Sequence, residues 1–190
     1  GVEAFGARDP KLDAEVILLN KELFERIGLK DFTIQLNSVG CPQCRPEYIK
    51  KLKVFFKDNL KLLCKDCQMR YKGNVLRIFD CKNGTCQVKI AEAPKVADNI
   101  CTECSTHYEK VKSILKTADV PFTQNPRLVR GLDYYTSTTF EIIAGKPSTL
   151  TTGRYTLCQE KPGSKVLGEL GAQNAICGGG RYDNLVEELG

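Results

Sequence analysis

The 190-residue sequence predicts an α+β fold: part of an antiparallel sheet with flanking helices, interrupted by a small, mainly helical insertion. Three observations predict it. A segment of helical period at the N-terminus runs straight into one of strand period. The middle third shows helical spacing bracketed by cysteine pairs. Strand texture then returns toward the C-terminus.

The elements follow in order. Asp9 before Pro10 is a helix start, and Leu12, Val16, Leu19, Leu23 and Ile27 repeat at helical spacing up to Gly28, which predicts an amphipathic helix burying that row. Next, Phe32, Ile34 and Leu36 alternate with Thr33, Gln35 and Asn37, the period of a strand buried on one side and ending near Gly40. Pro46 opens a second helix with Ile49, Leu52, Phe56, Leu60 and Leu63 inward. A short helical stretch from Lys65 to Tyr71 ends at Gly73-Asn74, and the segment carrying Cys81 and Cys86 is weakly patterned. A last helix from about Cys101 to Ala118 turns Tyr108, Val111 and Leu115 inward. Strand texture resumes in PFTQNPRLVRGLDYYTSTTFEIIA, where Tyr134, Thr136, Thr138, Phe140 and Ile142 face one way and Tyr135, Ser137, Thr139, Glu141 and Ile143 the other; this strand needs an antiparallel partner. Gly145 to Gly171 is polar and glycine-rich and is expected to be a long loop, AQNAICGGGRYD supplies the next strand, and NLVEELG begins a helix. The expected division is therefore 1–40 and 123–190 for the sheet-bearing part and 41–122 for the insertion.

Composition narrows the class. With 42% hydrophobic and 27% charged residues the chain is neither disordered nor membrane-embedded in character. There is no apolar run of roughly 20 residues and no basic-then-apolar leader, so a cytoplasmic protein without membrane contact is expected. The start at Gly1 without Met, and the stop within a helical pattern, lead us to expect cut edges of something larger. Net charge is +5, but residues 41–122 carry 16 Lys and Arg against 9 Asp and Glu, whereas the remainder is slightly acidic. A basic middle suits a polyanion, since Lys and Arg gain affinity by releasing counterions from phosphates; a solvated lysine-rich helix face explains the same excess.

Eight of the ten cysteines lie in that middle segment as Cys41/Cys44, Cys64/Cys67, Cys81/Cys86 and Cys101/Cys104. Repeated C-x-x-C without a secretory signal favours metal over disulfides, and four pairs are enough for two tetrahedral Zn2+ sites. Each site would carry −2, lowering the segment's excess to about +3. The pairs can combine in three ways, His107 is a substitute ligand for one cysteine, and reduced, partly buried thiols are the alternative.

Two stretches carry residues that a plain core strand avoids. In RLVRGLDYY, Arg127, Arg130, Asp133 and two tyrosines enter a strand; an arginine there can grip a carboxylate or phosphate in a bidentate fork, and a surface Arg–Asp pair is the plainer explanation. In ICGGGRYDNLV, three successive glycines imply that something approaches the backbone closely. Neither G-x-G-x-x-G nor a G-K-S/T ending is present, so a flat small-molecule pocket with a glycine floor and Tyr182 as a wall fits better than a nucleotide loop; a glycine-rich turn is the remaining alternative.

These stretches resemble the two histidine-specific signatures of the histidyl-tRNA synthetases, RLVRGLDYYTSTTFE the first and ICGGGRYDNLVEELG the second, while VEAFGARDPKLDAEVI resembles the end of class II motif 2. The resemblance runs over nearly the full chain. It implies part of the class II synthetase sheet with an inserted domain at 41–122 that leans on the tRNA acceptor arm. It also implies the two-step ligation of histidine to tRNA(His) through histidyl-adenylate, with ATP and Mg2+, in a homodimeric parent enzyme. By the same resemblance Glu3 and Tyr135 contact the substrate imidazole, Arg130 bridges the histidine carboxylate and the ATP α-phosphate, Tyr182 stands near the amino group, and Gly178, Gly179 and Gly180 form the strand beneath the substrate. Tyr135 is preferred to Tyr134 because neighbours on a strand face opposite sides. Motif 1, the ATP-gripping part of motif 2, motif 3 and the anticodon-binding domain are not in the sequence, so the chain alone is expected to be inactive. The 145–171 segment is longer and more polar than the family suggests. Two rivals are the synthetase-like regulatory subunit of ATP phosphoribosyltransferase, against which the cysteine-rich insertion argues, and a zinc-stabilised nucleic-acid-binding module, which leaves Arg130 and the glycines without a purpose.

Overall fold

A four-stranded sheet in the order β2-β1-β3-β4 positions everything that follows. The computed structural model describes residues 1–29, 31–129, 134–145 and 175–185. β1 (Phe32–Ser38) runs antiparallel to β3 (Thr136–Ala144), with Ile34 opposite Ile142 and Leu36 opposite Phe140. β4 (Ala175–Arg181) lies antiparallel on the far side of β3, setting Gly179 against Phe140 and Gly178 against Glu141. The short β2 (Phe122–Gln124) pairs with β1 in parallel, so the sheet is mixed rather than wholly antiparallel as expected. The chain re-enters the sheet after a helix crosses its face, which brings it back in the same direction.

The strand expected to take in RLVRGLDYY begins only at Thr136. Ser137 has φ of +49°, and the β3–β4 register slips between Thr136 and Thr139, so the alternation is broken at its start. Nor is β1 buried on one side only: Thr33 and Asn37 are covered too, Asn37 donating to the Leu128 carbonyl at 3.0 Å.

Helix α1 (Pro10–Arg26) starts as expected, with Asp9 accepting from the Lys11 amide at 2.9 Å and Pro10 in its first turn. Its buried row differs from the expected one. Ala14 and Ile17 are fully buried, whereas Leu19, Leu23 and Ile27 are 46, 49 and 68% exposed. The helix carries two apolar rows, and the buried one lies beside Asp13, whose carboxylate is drawn inward to His107 and Arg181. Periodicity alone does not rank two rows.

Helix α5 (Thr102–Thr117) buries Tyr108, Val111 and Leu115, the predicted face, against α1 and the sheet. Together with Ala14, Ile17, Ile34, Leu36, Phe140 and Ile142 they make the core beneath the sheet. Between β1 and α5 a second core forms, mostly from helices and the turns between them, with Val129 packed into it. It is built by Tyr48, Leu52 and Phe56 of α2 (Arg45–Asn59), by Cys67 of α3 (Lys65–Lys72), and by Cys86 and Ile90 of α4 (Gly84–Glu92), with Val75, Ile78 and Phe79 from the 3-10 turn between α3 and α4. The weakly patterned stretch around Cys86 is thus a helix, its start fixed by Asn83 accepting from the Thr85 amide at 3.0 Å. Among the described residues no helix is long and apolar enough to cross a membrane.

Candidate functional site

The glycine strand borders a cavity of about 610 Å³. Its walls come from residues 1–8, from Leu12, Asp13, Val16 and Asn20 of α1, from Tyr135, Thr138 and Phe140, and from Cys177 through Asp183. Six expected site residues therefore meet here: Glu3, Tyr135, Tyr182, Gly178, Gly179 and Gly180. The expectation for Arg130 falls on residues 130–133, outside the described residues, as does the loop expectation beyond Gly145.

Glu3 lies on an exposed segment without regular structure and accepts a hydrogen bond from the Tyr182 hydroxyl. Burial first, and then the Glu3 carboxylate, pushes the Tyr182 phenol up to about 12, so it is protonated and a donor at neutral pH. The argument for choosing Tyr135 over Tyr134 does not hold. Both precede the strand, their ring centroids are 4.8 Å apart, and each ring meets Tyr182 edge-on, at 6.5 and 6.2 Å. The three rings pack as one aromatic cluster instead of parting across the sheet, and of the two neighbours Tyr135 is the one that lines the cavity.

The glycines have a cause closer than a ligand. A Cβ on Gly179 would stand 2.8 Å from the Phe140 ring; one on Gly180 would stand 2.8 Å from both the Thr138 carbonyl oxygen and the Tyr135 ring. Glycine lets β4 lie flat on those aromatics, and the cavity floor follows from that packing.

Sequence reasoning missed the charged bracket behind the cavity. Arg181 donates to Asp13 at 2.6 and 3.0 Å and to Asp183 at 2.8 Å, and His107 Nε2 lies 2.7 Å from the other Asp13 oxygen. His107 therefore serves α1, not a cysteine cluster as a substitute ligand. Burial raises the Asp13 carboxyl, but bonds from His107 and Arg181 outweigh it and hold the group below the usual carboxylate value of 3.8. The bracket ties α5, α1 and β4 into one frame next to Tyr182. The buried Thr138 hydroxyl lies beside Asp13 and adds to the lowering of its carboxyl. An aspartate inside an apolar helix row, and an arginine directly after three glycines, were the available signals.

The eight insertion cysteines form two groups, Cys41, Cys44, Cys101 and Cys104 in one and Cys64, Cys67, Cys81 and Cys86 in the other, each with its sulfurs within 4.8 Å of one another. This selects one of the three possible combinations. Contacts in the first group are 3.6 Å for Cys41–Cys44, 3.9 Å for Cys41–Cys101 and 4.0 Å for Cys44–Cys104; in the second, Cys64–Cys81 is 3.8 Å. A tetrahedron with metal–sulfur bonds of about 2.3 Å has edges of about 3.8 Å, so both groups have the dimensions of a four-thiolate metal site. Backbone amides point at the sulfurs: Cys41 N to Cys44 Sγ at 3.3 Å, Cys64 N to Cys86 Sγ at 3.2 Å and Asn83 N to Cys81 Sγ at 3.4 Å. Backbone N–H bonds bring the Cys64 thiol down to about 7; at Cys41 burial opposes them and the thiol still falls to about 7. Burial pushes Cys67 and Cys104 upward.

No family model matches the chain. Among solved structures, the apo histidyl-tRNA synthetase of S. aureus superposes with a TM-score of 0.65 at 34% identity, over 98% of this chain and 40% of that one. A Bacillus halodurans structure described as an ATP phosphoribosyltransferase regulatory subunit/histidyl-tRNA synthetase matches at TM-score 0.50 and 20% identity, over 96% of this chain and 45% of that one, and shares the fold alone. The fold thus matches part of a class II aminoacyl-tRNA synthetase. Curated histidine–tRNA ligases of Desulfitobacterium hafniense and Moorella thermoacetica are each 47% identical over all 190 residues. The chain spans about two fifths of their length, 39 and 40% respectively. Over its whole length the chain is thus similar to one stretch of the histidine–tRNA ligases.

Proposed function

We propose that the chain is part of a cytoplasmic, homodimeric histidine–tRNA ligase that joins histidine to ATP as histidyl-adenylate with release of pyrophosphate and passes the histidyl group to tRNA(His) with release of AMP, and that the cavity beside β4 receives the histidine. One observation carries this reading: Glu3, Tyr135 and Tyr182 border a single hollow with glycine backbone as its floor and room for more than one amino acid. A carboxylate and a phenol on one cavity wall suit an imidazole, which offers one N–H donor and one acceptor nitrogen when neutral. Glu3 takes the N–H and Tyr135 the other ring nitrogen, Tyr182 stands by the amino group, and Arg130 holds the carboxylate against the α-phosphate, where it offsets charge as the carboxylate attacks phosphorus. Mg2+ accompanies the ATP.

Each cysteine cluster is read as a structural Zn2+ site; the sulfur spacings and the N–H···S bonds support this. The basic 41–122 segment is read as an insertion domain facing tRNA phosphates. Calorimetry of the purified chain is expected to detect L-histidine binding that Glu3→Gln weakens at least tenfold. The chain alone is expected to give no histidine-dependent pyrophosphate exchange, and clear exchange would refute that. Metal analysis is expected to find about two zinc per chain; under half an equivalent speaks against both sites.

A further inference from the structure

The first cysteine cluster sits where the chain leaves the sheet and where it returns. Cys41 and Cys44 follow β1 directly, and Cys101 and Cys104 open α5. A metal there closes the stem of the helical segment. The second cluster lies wholly within the helical core, where Cys67, Cys81 and Cys86 are buried.

The stem is also joined to the aromatic wall of the cavity. Arg45, one residue after Cys44, donates through Nε to the Val39 carbonyl at 3.3 Å, through Nη2 to the Gly40 carbonyl at 3.3 Å, and through Nη2 to the Tyr135 carbonyl. Beside it the backbone of the stem pairs with the distorted start of β3: Val39 N donates to Ser137 O at 2.8 Å, and Ser137 N to Gly40 O at 2.9 Å. Ser137 is the residue in the left-handed region, a conformation a serine keeps only when its surroundings impose it. Gly40 is fixed from the other side. Its φ is +69°, and a Cβ there would lie 2.8 Å from Cys44 Sγ. Cys41, Gly40, Ser137 and Tyr135 thus form a short covalent and hydrogen-bonded path from the sulfurs to the cavity.

We propose that Arg45 is a positioning residue, and that metal held by Cys41, Cys44, Cys101 and Cys104 sets the place of Tyr135 in the amino-acid cavity through Arg45 and the Gly40–Ser137 pairing. The inference rests on reading the cluster as a zinc site and the cavity as the histidine site. Occupancy of the stem site then controls affinity for the amino acid, whereas occupancy of the second cluster does not.

The test uses the 190-residue chain carrying 3-fluorotyrosine, with the Tyr135 fluorine resonance assigned by Tyr135→Phe. Zinc content, that resonance and L-histidine affinity are read together. Cys101→Ser/Cys104→Ser is expected to lose one zinc, shift the Tyr135 signal and weaken histidine binding roughly tenfold, as for the loss of one charge-assisted hydrogen bond. Arg45→Ala is expected to keep both zinc ions and produce the same shift and the same loss; Arg45→Lys restores part of each. Combining the cysteine and arginine changes adds little, since both cut one path. The proposal is overturned if the stem variant loses its zinc while the Tyr135 signal and histidine affinity stay unchanged, a result that leaves the zinc reading standing. Absence of zinc from the unaltered chain overturns the zinc reading itself, and the proposal with it.

Discussion

The two cores of this molecule are closed by different means. Beneath the sheet, Ile17, Ile34, Leu36, Val111, Leu115 and Ile142 come from distant parts of the chain and interdigitate as aliphatic side chains. In the helical segment, Tyr48, Leu52 and Phe56 meet Val75 and Ile78, and buried cysteines fill the remaining contacts around short helices. Helices of eight and nine residues, such as α3 and α4, are marginal without support, and the cysteines lie at their starts. One region holds its shape through packing and the other through packing plus thiolate chemistry. Yet α5 belongs to both: it begins in a cysteine cluster and ends in the sheet core.

The largest expected effect breaks this comparison open. Cys81→Ser/Cys86→Ser is expected to remove one zinc and unfold α3 and α4, since a structural zinc supplies on the order of 10 kcal/mol of folding energy. Hydrogen exchange should then show α3 and α4 amides released while those of β1 and β3 stay protected; equal release in both would mean the cores are one cooperative unit. Next comes Phe56→Ala, which empties a fully buried ring site in the helical core and is expected to cost about 3–5 kcal/mol there, read by denaturant melts of helix signal.

Asp13→Asn is expected to cost about 3 kcal/mol, because it takes one of two carboxylate partners from the side chain of Arg181, only 6% exposed, and the charged partner from His107. Since the Asp13 pKa is held below 3.8, the stabilisation is complete above that value and disappears as pH falls through the lower, folded one; melting temperatures of the two proteins should converge in acid. Gly180→Ala forces a methyl against Tyr135 and the Thr138 carbonyl and is expected to cost about 1–3 kcal/mol, with weaker histidine binding. Leu23→Gln, on the exposed row of α1, should move the melt by no more than about 0.5 kcal/mol.

Much of this was legible where local chemistry decides the outcome. Asp9-Pro10 marks a helix start whatever lies around it, the inner face of α5 follows from a single apolar row, and three glycines mark a strand on which larger residues lie. What was not legible depends on partners far away in sequence. The buried row of α1 lies beside Asp13, which reaches His107, 94 positions on. The side-by-side tyrosines follow from the Ser137 distortion, which the alternation rule does not contain. Four cysteine pairs have equal claims on one another until the helices are placed. Arg45 reads as a surface charge because its acceptors are backbone carbonyls, one of them 90 residues away.

The most direct test of the site is L-histidine affinity of the chain and of its Glu3→Gln and Tyr135→Phe variants, measured beside L-phenylalanine and L-glutamine as competitors. The account predicts saturable binding of histidine alone, weakened roughly tenfold by either substitution. Equal affinity for all three amino acids, or histidine binding that neither substitution alters, would contradict it.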